Sequence, residues 1–328
     1  MTSARAVTVV IPNWNGMKHL PECFETLDQQ EFRDFVTVVV DNGSSDGSVG
    51  WLEANRSEST VVSMPENRGF SSAVNTGIDL AQTPYVALLN NDTALDPSWL
   101  GELVRALEEH PDYDIAASRM VYYDEPGIIN AAGDTYDMWT GRGLNRGMGS
   151  PADSYREPVR VLGACAGAAL YRTTIFDHVG RFAEEFFLLS EDTDFNLRAL
   201  IAGHCALYVP SAIVRHKASA SINTLEPWPV ERLRLRNNAL VVSKDLPLVA
   251  QIPFHVGRWW QTFRNSVPLR PSMWHLIPAR VRQQRLRNEA IREGLSLGRE
   301  QRYDAWARRE IGRLEVMRWI LRGTGPLR

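Results

Sequence analysis

Residues 85–93 read YVALLNNDT: five apolar or aromatic positions without alternation, then an abrupt stop at Asn90, Asn91 and Asp92. An unbroken apolar run of this length suits a strand buried on both faces. The polar stop sets a carboxylate flanked by amides at the rim of a sheet. Working outward, VTVVI (7–11) and VTVVV (36–40) are strands of the same kind. The first is followed by a turn at Asn13–Gly16 and a helical stretch near 17–30. The second is closed by DNGSSDGS, which is loop and helix-cap chemistry. A short apolar run at 60–64 precedes the loop PENRGF, 70–82 reads as a helix, a further helix spans Pro97 to about His110, and IAAS (115–118) is another strand. Strands alternating with helices require crossover connections and predict an α/β fold with a mostly parallel sheet. Ligands of such sheets lie beyond the carboxyl ends of the strands. Asn13 and Asn15, Asp41 to Ser45, and Asn90 to Asp92 gather at those ends, which predicts one cleft.

Beyond residue 120 the pattern loosens. Residues 121–160 are rich in Gly, Tyr, Asp and Pro without clear periodicity and read as a long functional loop. GACAGAALYR (163–172) is a small-residue strand, 191–203 a helix opened by acids, and CALYVP (205–210) a further strand. After Pro227 and Pro229 long helices are expected. The 328 residues suggest about two domains, and 44% apolar with 23% charged residues excludes disorder or a fibrous repeat. Cys23, Cys165 and Cys205 form no CxxC pair, which argues against a disulfide framework or structural zinc site. The apolar run before Pro12 is too short for a signal segment or a spanning helix, so a cytoplasmic protein is expected.

Three clusters carry chemistry. In DNGSSDGS, Asp41 can accept hydrogen bonds from a base or ribose, or simply cap a helix. No GxGxxG follows the first strand, which weakens a dinucleotide reading. In LNNDT, Asp92 suits a hard cation, because Mg²⁺ or Mn²⁺ often takes one or two carboxylates plus substrate phosphates; an Asx turn is the alternative. In SEDTDFNLR (190–198), three acids in four residues repel one another unless they act or cap. Asp192 or Glu191 could serve as a general base, whereas Asp194 and Arg198 are spaced as a structural pair on one helical face. His216, in VRHKASAS, becomes a candidate metal ligand only because a cation is already suspected, and Arg215 and Lys217 beside it could neutralise a diphosphate.

Taken in order, PNWNG, VDNGSSDGS, ENRGF, LNND, GACAGAALYR, SEDTDFNLR and VRHKASAS closely resemble glycosyltransferase family 2 over roughly residues 6–225. The resemblance implies a GT-A (Rossmann-like) fold and an inverting, nucleotide-sugar-dependent transferase using Mg²⁺ or Mn²⁺. NND in place of a two-Asp DxD looks like the rhamnosyltransferase-like branch, with dTDP-rhamnose or a UDP-sugar as donor and cell-surface polysaccharide synthesis as the setting. By the same resemblance Asp41 and the backbone near Pro12 and Asn13 would hold the donor's base, with Asn15 at the same rim. Arg68 would lie by the nucleotide, Asn90 and Asn91 would approach ribose and phosphate, Asp92 would bind the metal with His216 as second ligand, and Asp192 would be the catalytic base beside Glu191.

Residues 226–328 form a separate region by composition. Residues 251–328 contain sixteen arginines, no lysine and six acids, a balance of +10, so the first 250 residues carry −13 of the net −3. Trp259, Trp260, Trp274, Trp306 and Trp319 fall there too. Arg and Trp interleaved on helices suit an anionic membrane surface at the inner face of the plasma membrane, where a lipid-linked or glycan acceptor would be met. Packing on the catalytic part or in a homodimer is the other reading, and no nucleic-acid module is present. Two alternatives stand beside transfer: a sugar-nucleotide nucleotidyltransferase, for which PNWNGMKHL lacks a basic Gly-rich loop, and a non-catalytic sugar-binding scaffold.

Overall fold

The computed structural model describes residues 5–218, 226–266, 277–325 and 327. It opens with β1 (Val7–Asn13), α1 (Leu20–Asp28), β2 (Phe35–Asp41), α2 (Ser48–Asn55), β3 (Thr60–Ser63), α3 (Phe70–Leu80) and β4 (Tyr85–Leu89). Then come β5 (Thr93–Leu95), α4 (Trp99–Glu109) and β6 (Ile115–Tyr122). In β1, Val7, Val9 and Ile11 enter one core while Val10 enters the other. Tyr85, Ala87 and Leu89 of β4 likewise oppose Val86 and Leu88. Both faces of these strands are dry, which is why neither run alternates.

β7 (Ile129–Ala132), β8 (Asp134–Asp137), β9 (Arg142–Asn145), β10 (Val159–Val161), β11 (Ala168–Arg172), α5 (Ile175–His178), α6 (Glu191–Ile201) and β12 (Ala206–His216) follow. The sheet runs β3-β2-β1-β4-β11-β6-β12-β10. β11 is antiparallel to both its neighbours, β4 and β6, so β3, β2, β1, β4, β6 and β12 share one direction. The expected α/β, mostly parallel arrangement is present, with one reversed strand in its middle.

Two expectations are corrected. Residues 121–160 are not an irregular loop: β7 joins β6, β10 joins β12, and β8 with β9 makes a separate hairpin. These strands of three or four residues are too short to show a period, and positive-φ glycines at 133, 141, 147 and 149 separate them. The strand at CALYVP does not stop at Pro210. It continues to His216 through an irregularity between Val209 and Ile213, where a residue without an N–H costs no ladder bond.

The C-terminal helices are α7 (Pro227–Asp245), α8 (Ile252–Ser266), α9 (Ile277–Ala307) and α10 (Arg313–Arg322), after which β13 (Thr324–Gly325) pairs with β10. Ala239 to Val242 of α7, Ile291 and Leu295 of α9, and Val316 and Ile320 of α10 form one apolar cluster with Phe186, Leu197, Leu200 and Ile201. No described helix is long and apolar enough to cross a membrane. The three cysteines are free. Trp274 and the end of VRHKASAS lie outside the described residues.

Candidate active site

The parallel register sets Asn13 beside Asp41 at the carboxyl ends of β1 and β2. There Asn13 Nδ2 donates to Asp41 Oδ2 at 2.7 Å, and Asn91 Nδ2 donates to Asn13 Oδ1 at 2.7 Å. The Ser44 amide donates to Asp41 Oδ1 at 2.9 Å. Asn15 closes the rim from the other side: its amide donates to Ser44 Oγ, and its Oδ1 accepts from the Ser45 amide, both at 2.8 Å. The chain of amides requires a bare backbone at Gly16, since a Cβ there would lie 2.0 Å from Asn91 Nδ2. Pro12, Asn13, Asn15, Asp41 and Asn91 therefore come together. Arg68 reaches the same side through its amide, which donates to Asn42 Oδ1 at 2.9 Å, but its exposed guanidinium pairs with Glu184 at 3.5 Å.

After β4 the chain turns through Asn90, Asn91 and Asp92 into β5, which pairs with the end of β12. That pairing brings His216 Nε2 to 3.2 Å from Asp92 Oδ1. His216 Nδ1 is 2.9 Å from Asn130 Oδ1, a bond from β7 that orients the ring. Burial raises the Asp92 carboxyl, yet the bond and charge of His216, with His19, outweigh it and hold the group below its ordinary range. Lys217, expected near a diphosphate, is engaged with Glu22 at 2.5 Å, and Arg215 lies over the Tyr123 ring at 5.9 Å. Asp92 and His216 fit a cation as a two-residue set, with a carboxylate oxygen and an imidazole nitrogen facing each other. Among the described residues no group of three or more His, Cys, Asp and Glu side chains could hold a metal.

The second half of the site is the start of α6. Phe187, Leu189 and Ser190 all adopt positive φ just before Glu191, a strained approach for residues with side chains. Thr193 donates its amide to Asp192 Oδ1 at 2.7 Å, and the Ala166 amide also donates to Asp192. Asn90 donates its amide to Gly167 O at 2.8 Å, so the 166–167 turn joins the Asp92 loop to Asp192. Burial raises the Asp192 carboxyl despite those donors. Burial, then the charge of Asp192, pushes Glu191 up to about 8. Asp194, by contrast, is held below the carboxylate range, against its burial, by Arg198 and Lys244, each at 2.7 Å. The spacing of Asp194 and Arg198 pointed to that pairing.

Sequence reasoning missed Asp134, at the start of β8. It is buried, accepts from Asn196 at 2.9 Å, and is raised by burial and by the charge of Asp192. It also missed Asn130, the partner of His216. Both lie in the stretch read as a loop, where no periodicity singled them out.

Residues 8–180 match the family described as Glycosyl transferase family 2. An uncharacterized glycosyltransferase of Haemophilus influenzae is 23% identical over 224 residues, 66% of this chain and 67% of that protein. The uncharacterized protein y4gI of Sinorhizobium fredii is 25% identical over 269 residues, 77% of this chain, which spans only 28% of its length. In three dimensions the chain is similar to GalNAc-T7 solved with UDP, GalNAc and Mn²⁺, with a TM-score of 0.62 at 14% identity over 93% of this chain and 59% of that one. This likeness agrees with the GT-A architecture. The family match takes in the Asn13, Asp41 and Asp92 loops and stops before Glu191. With more than half of its length matched, the chain belongs to glycosyl transferase family 2.

Proposed function

We propose that the protein transfers a glycosyl group, with inversion, from a nucleoside diphosphate sugar to a hydroxyl of a glycan or lipid-linked acceptor. The observation that carries this reading is the junction at residues 166–167. It ties a metal-type pair, Asp92 and His216, to Asp192, a carboxyl that burial raises. The Asn13, Asn15, Asp41 and Asn91 network, with Arg68 nearby, is the proposed cradle for the nucleoside, and Asn90 approaches its phosphates. Asp92 and His216 would hold Mg²⁺ or Mn²⁺, which supplies charge neutralisation for the departing diphosphate. Asp192 takes the proton of the acceptor hydroxyl as its oxygen attacks the anomeric carbon, and a single displacement inverts the centre. Glu191, kept protonated by its burial, leaves Asp192 as the base. Residues 1–225 carry these groups in the proposed division, and 226–328 buttress them.

A UDP- or dTDP-sugar is the proposed donor. The Asn-Asn-Asp signature favours the rhamnosyltransferase-like branch and hence dTDP-rhamnose in cell-surface polysaccharide synthesis. UDP in the GalNAc-T7 structure favours the other base. Thermal-shift measurements with UDP-, dTDP- and GDP-sugars, each with Mn²⁺, Mg²⁺ or EDTA, test the reading. The expected result is a metal-dependent rise in Tm for one nucleotide class. Asp92→Ala should remove most of that rise by deleting the carboxylate of the pair. A flat panel together with no transfer to any acceptor would assign the fold to a sugar-binding scaffold instead.

A further inference from the structure

The C-terminal helices bury much of their apolar surface; Leu286, Leu314 and Leu321 are exposed singly, but one run is exposed together. On α8 and the residues just before it, Leu248, Val249, Ile252, Val256, Trp259, Trp260 and Phe263 are all exposed. Positions 252, 256, 259, 260 and 263 recur at helical spacing, so they form one stripe. The opposite side is anchored by buried Phe254. Trp259 is 67% exposed, Trp260 56% and Phe263 50%, and the Phe263 ring stacks with both indoles instead of entering a core. An apolar patch of this kind on a described surface needs an occupant.

Charge says which. Residues 246–288 hold seven arginines and no acidic residue, although the chain as a whole is at −3. Arg264 on α8 and Arg282 and Arg285 on α9 are exposed; α9 meets α8 here through Gln284, which donates to Thr262, and Arg285 also lies 3.8 Å from Glu289. Burial lowers Arg258, and Arg292 lowers it further, because cation faces cation across α8 and α9. A second copy of the chain docking through this face would oppose like charges on an isologous interface. A surface of anionic phospholipid satisfies both features, with indoles at the headgroup level and guanidinium groups on phosphate.

The patch also reaches the catalytic side. Trp139, exposed at the tip of the β8–β9 hairpin, packs over Gly257 of α8. On the same hairpin Gly143 abuts Thr193, the neighbour of Asp192. We infer that the stripe of α8, with Trp139 and the flanking arginines, is a docking face for an anionic membrane. Resting on the transfer reading, it would further present Asp192 to an acceptor carried in that membrane.

The test is sedimentation of the full chain with phosphatidylcholine vesicles with and without phosphatidylglycerol. Binding to the anionic vesicles is expected, and it should fall at high salt. Trp259→Ser/Trp260→Ser/Phe263→Ser, all at exposed positions, should weaken it by about tenfold or more. Arg282→Gln/Arg285→Gln should weaken it by about tenfold without altering packing. Both variants should keep the native nucleotide-dependent rise in Tm. Failure of the native chain to sediment with anionic vesicles overturns the inference. So does equal sedimentation of the triple variant, or a dimer in sedimentation velocity that the triple variant dissolves. Vesicle binding in a chain with neither a nucleotide response nor transfer to any acceptor would support this face and overturn the transfer reading alone.

Discussion

At the scale of the residue, Asp192 and Glu191 are adjacent acids to which the proposed mechanism gives different tasks. Asp192 is raised by burial but keeps donors from Thr193 and Ala166, which favour its charged form. Asp192→Asn removes the proposed base and keeps the shape. Transfer should fall by ~10²–10⁴-fold, with the donor-induced Tm shift retained, as turnover and thermal-shift measurements on one preparation would show. Glu191 has a pH signature. Its carboxyl binds a proton in the fold up to about 8, against an ordinary value of 4.5. Between those values the folded chain holds more protons than the unfolded one, so this group's contribution to stability declines as pH rises through the window and levels off above it. Glu191→Gln abolishes that slope. Relative to the native chain, the variant should melt higher at about pH 8 than at about pH 5 in parallel thermal melts.

At the scale of the element, the strained approach to α6 is held from outside the parallel sheet. Asn237 of α7, fully buried, donates to the carbonyls of Phe186 and Leu188 at 2.9 Å and of Leu189 at 2.8 Å. Ser190 Oγ donates to Asn238 Oδ1 at 3.1 Å, and Arg236 donates to Glu185 O at 2.8 Å. The two N–H bonds of one side-chain amide are thus shared among three backbone carbonyls with positive-φ neighbours, and the Phe186 carbonyl also accepts from the Leu188 amide. Asn237→Ala takes this donor from all three and leaves Leu188 and Leu189 without it, at a cost of about 2–4 kcal/mol in urea unfolding. Transfer should decline more than donor binding, because Asp192 sits at the end of the released segment. The hairpin β8–β9 works in the same way, with Gly143 lying where any larger residue would strike Thr193.

At the scale of the whole molecule, composition divides the chain near residue 225, but packing does not follow charge. The cluster that holds Leu197, Leu200 and Ile201 is completed by Ala239 to Val242, Ile291, Leu295, Val316 and Ile320. Each of these side chains contributes about 1.5–3 kcal/mol when fully buried if it is Leu, Ile or Val. A chain ended after residue 225 would expose that face of α6 and lose the Asn237 contacts. It should show no cooperative thermal transition by circular dichroism, whereas the full chain should. The Arg160 guanidinium stacked 3.8 Å from the Trp319 ring, and β13 added to the edge at β10, fasten the far end of the chain to the same sheet.

Where one face or both faces of an element lie against a core, the pattern of residues is itself the structural information. The runs at 7–11 and 85–89, and 36–40 beyond its exposed Val36, declared buried strands, and the polar stops at Asn13, Asp41 and Asn91 declared one hydrogen-bonded rim. The ordered motifs declared the family. Asp194 with Arg198 was legible because four residues make one helical step. Asp134, Asn130 and Asn237 were not, since each meets its partner across 62, 86 and about fifty positions of chain, and a lone polar residue in a short strand or helix carries no period. Which buried carboxyl is raised and which is lowered was equally beyond the sequence. Asp194 has Arg198 one helical step away on its own helix, but its second cation, Lys244, reaches it only through the way α7 lies on α6, and Asp192 receives neither.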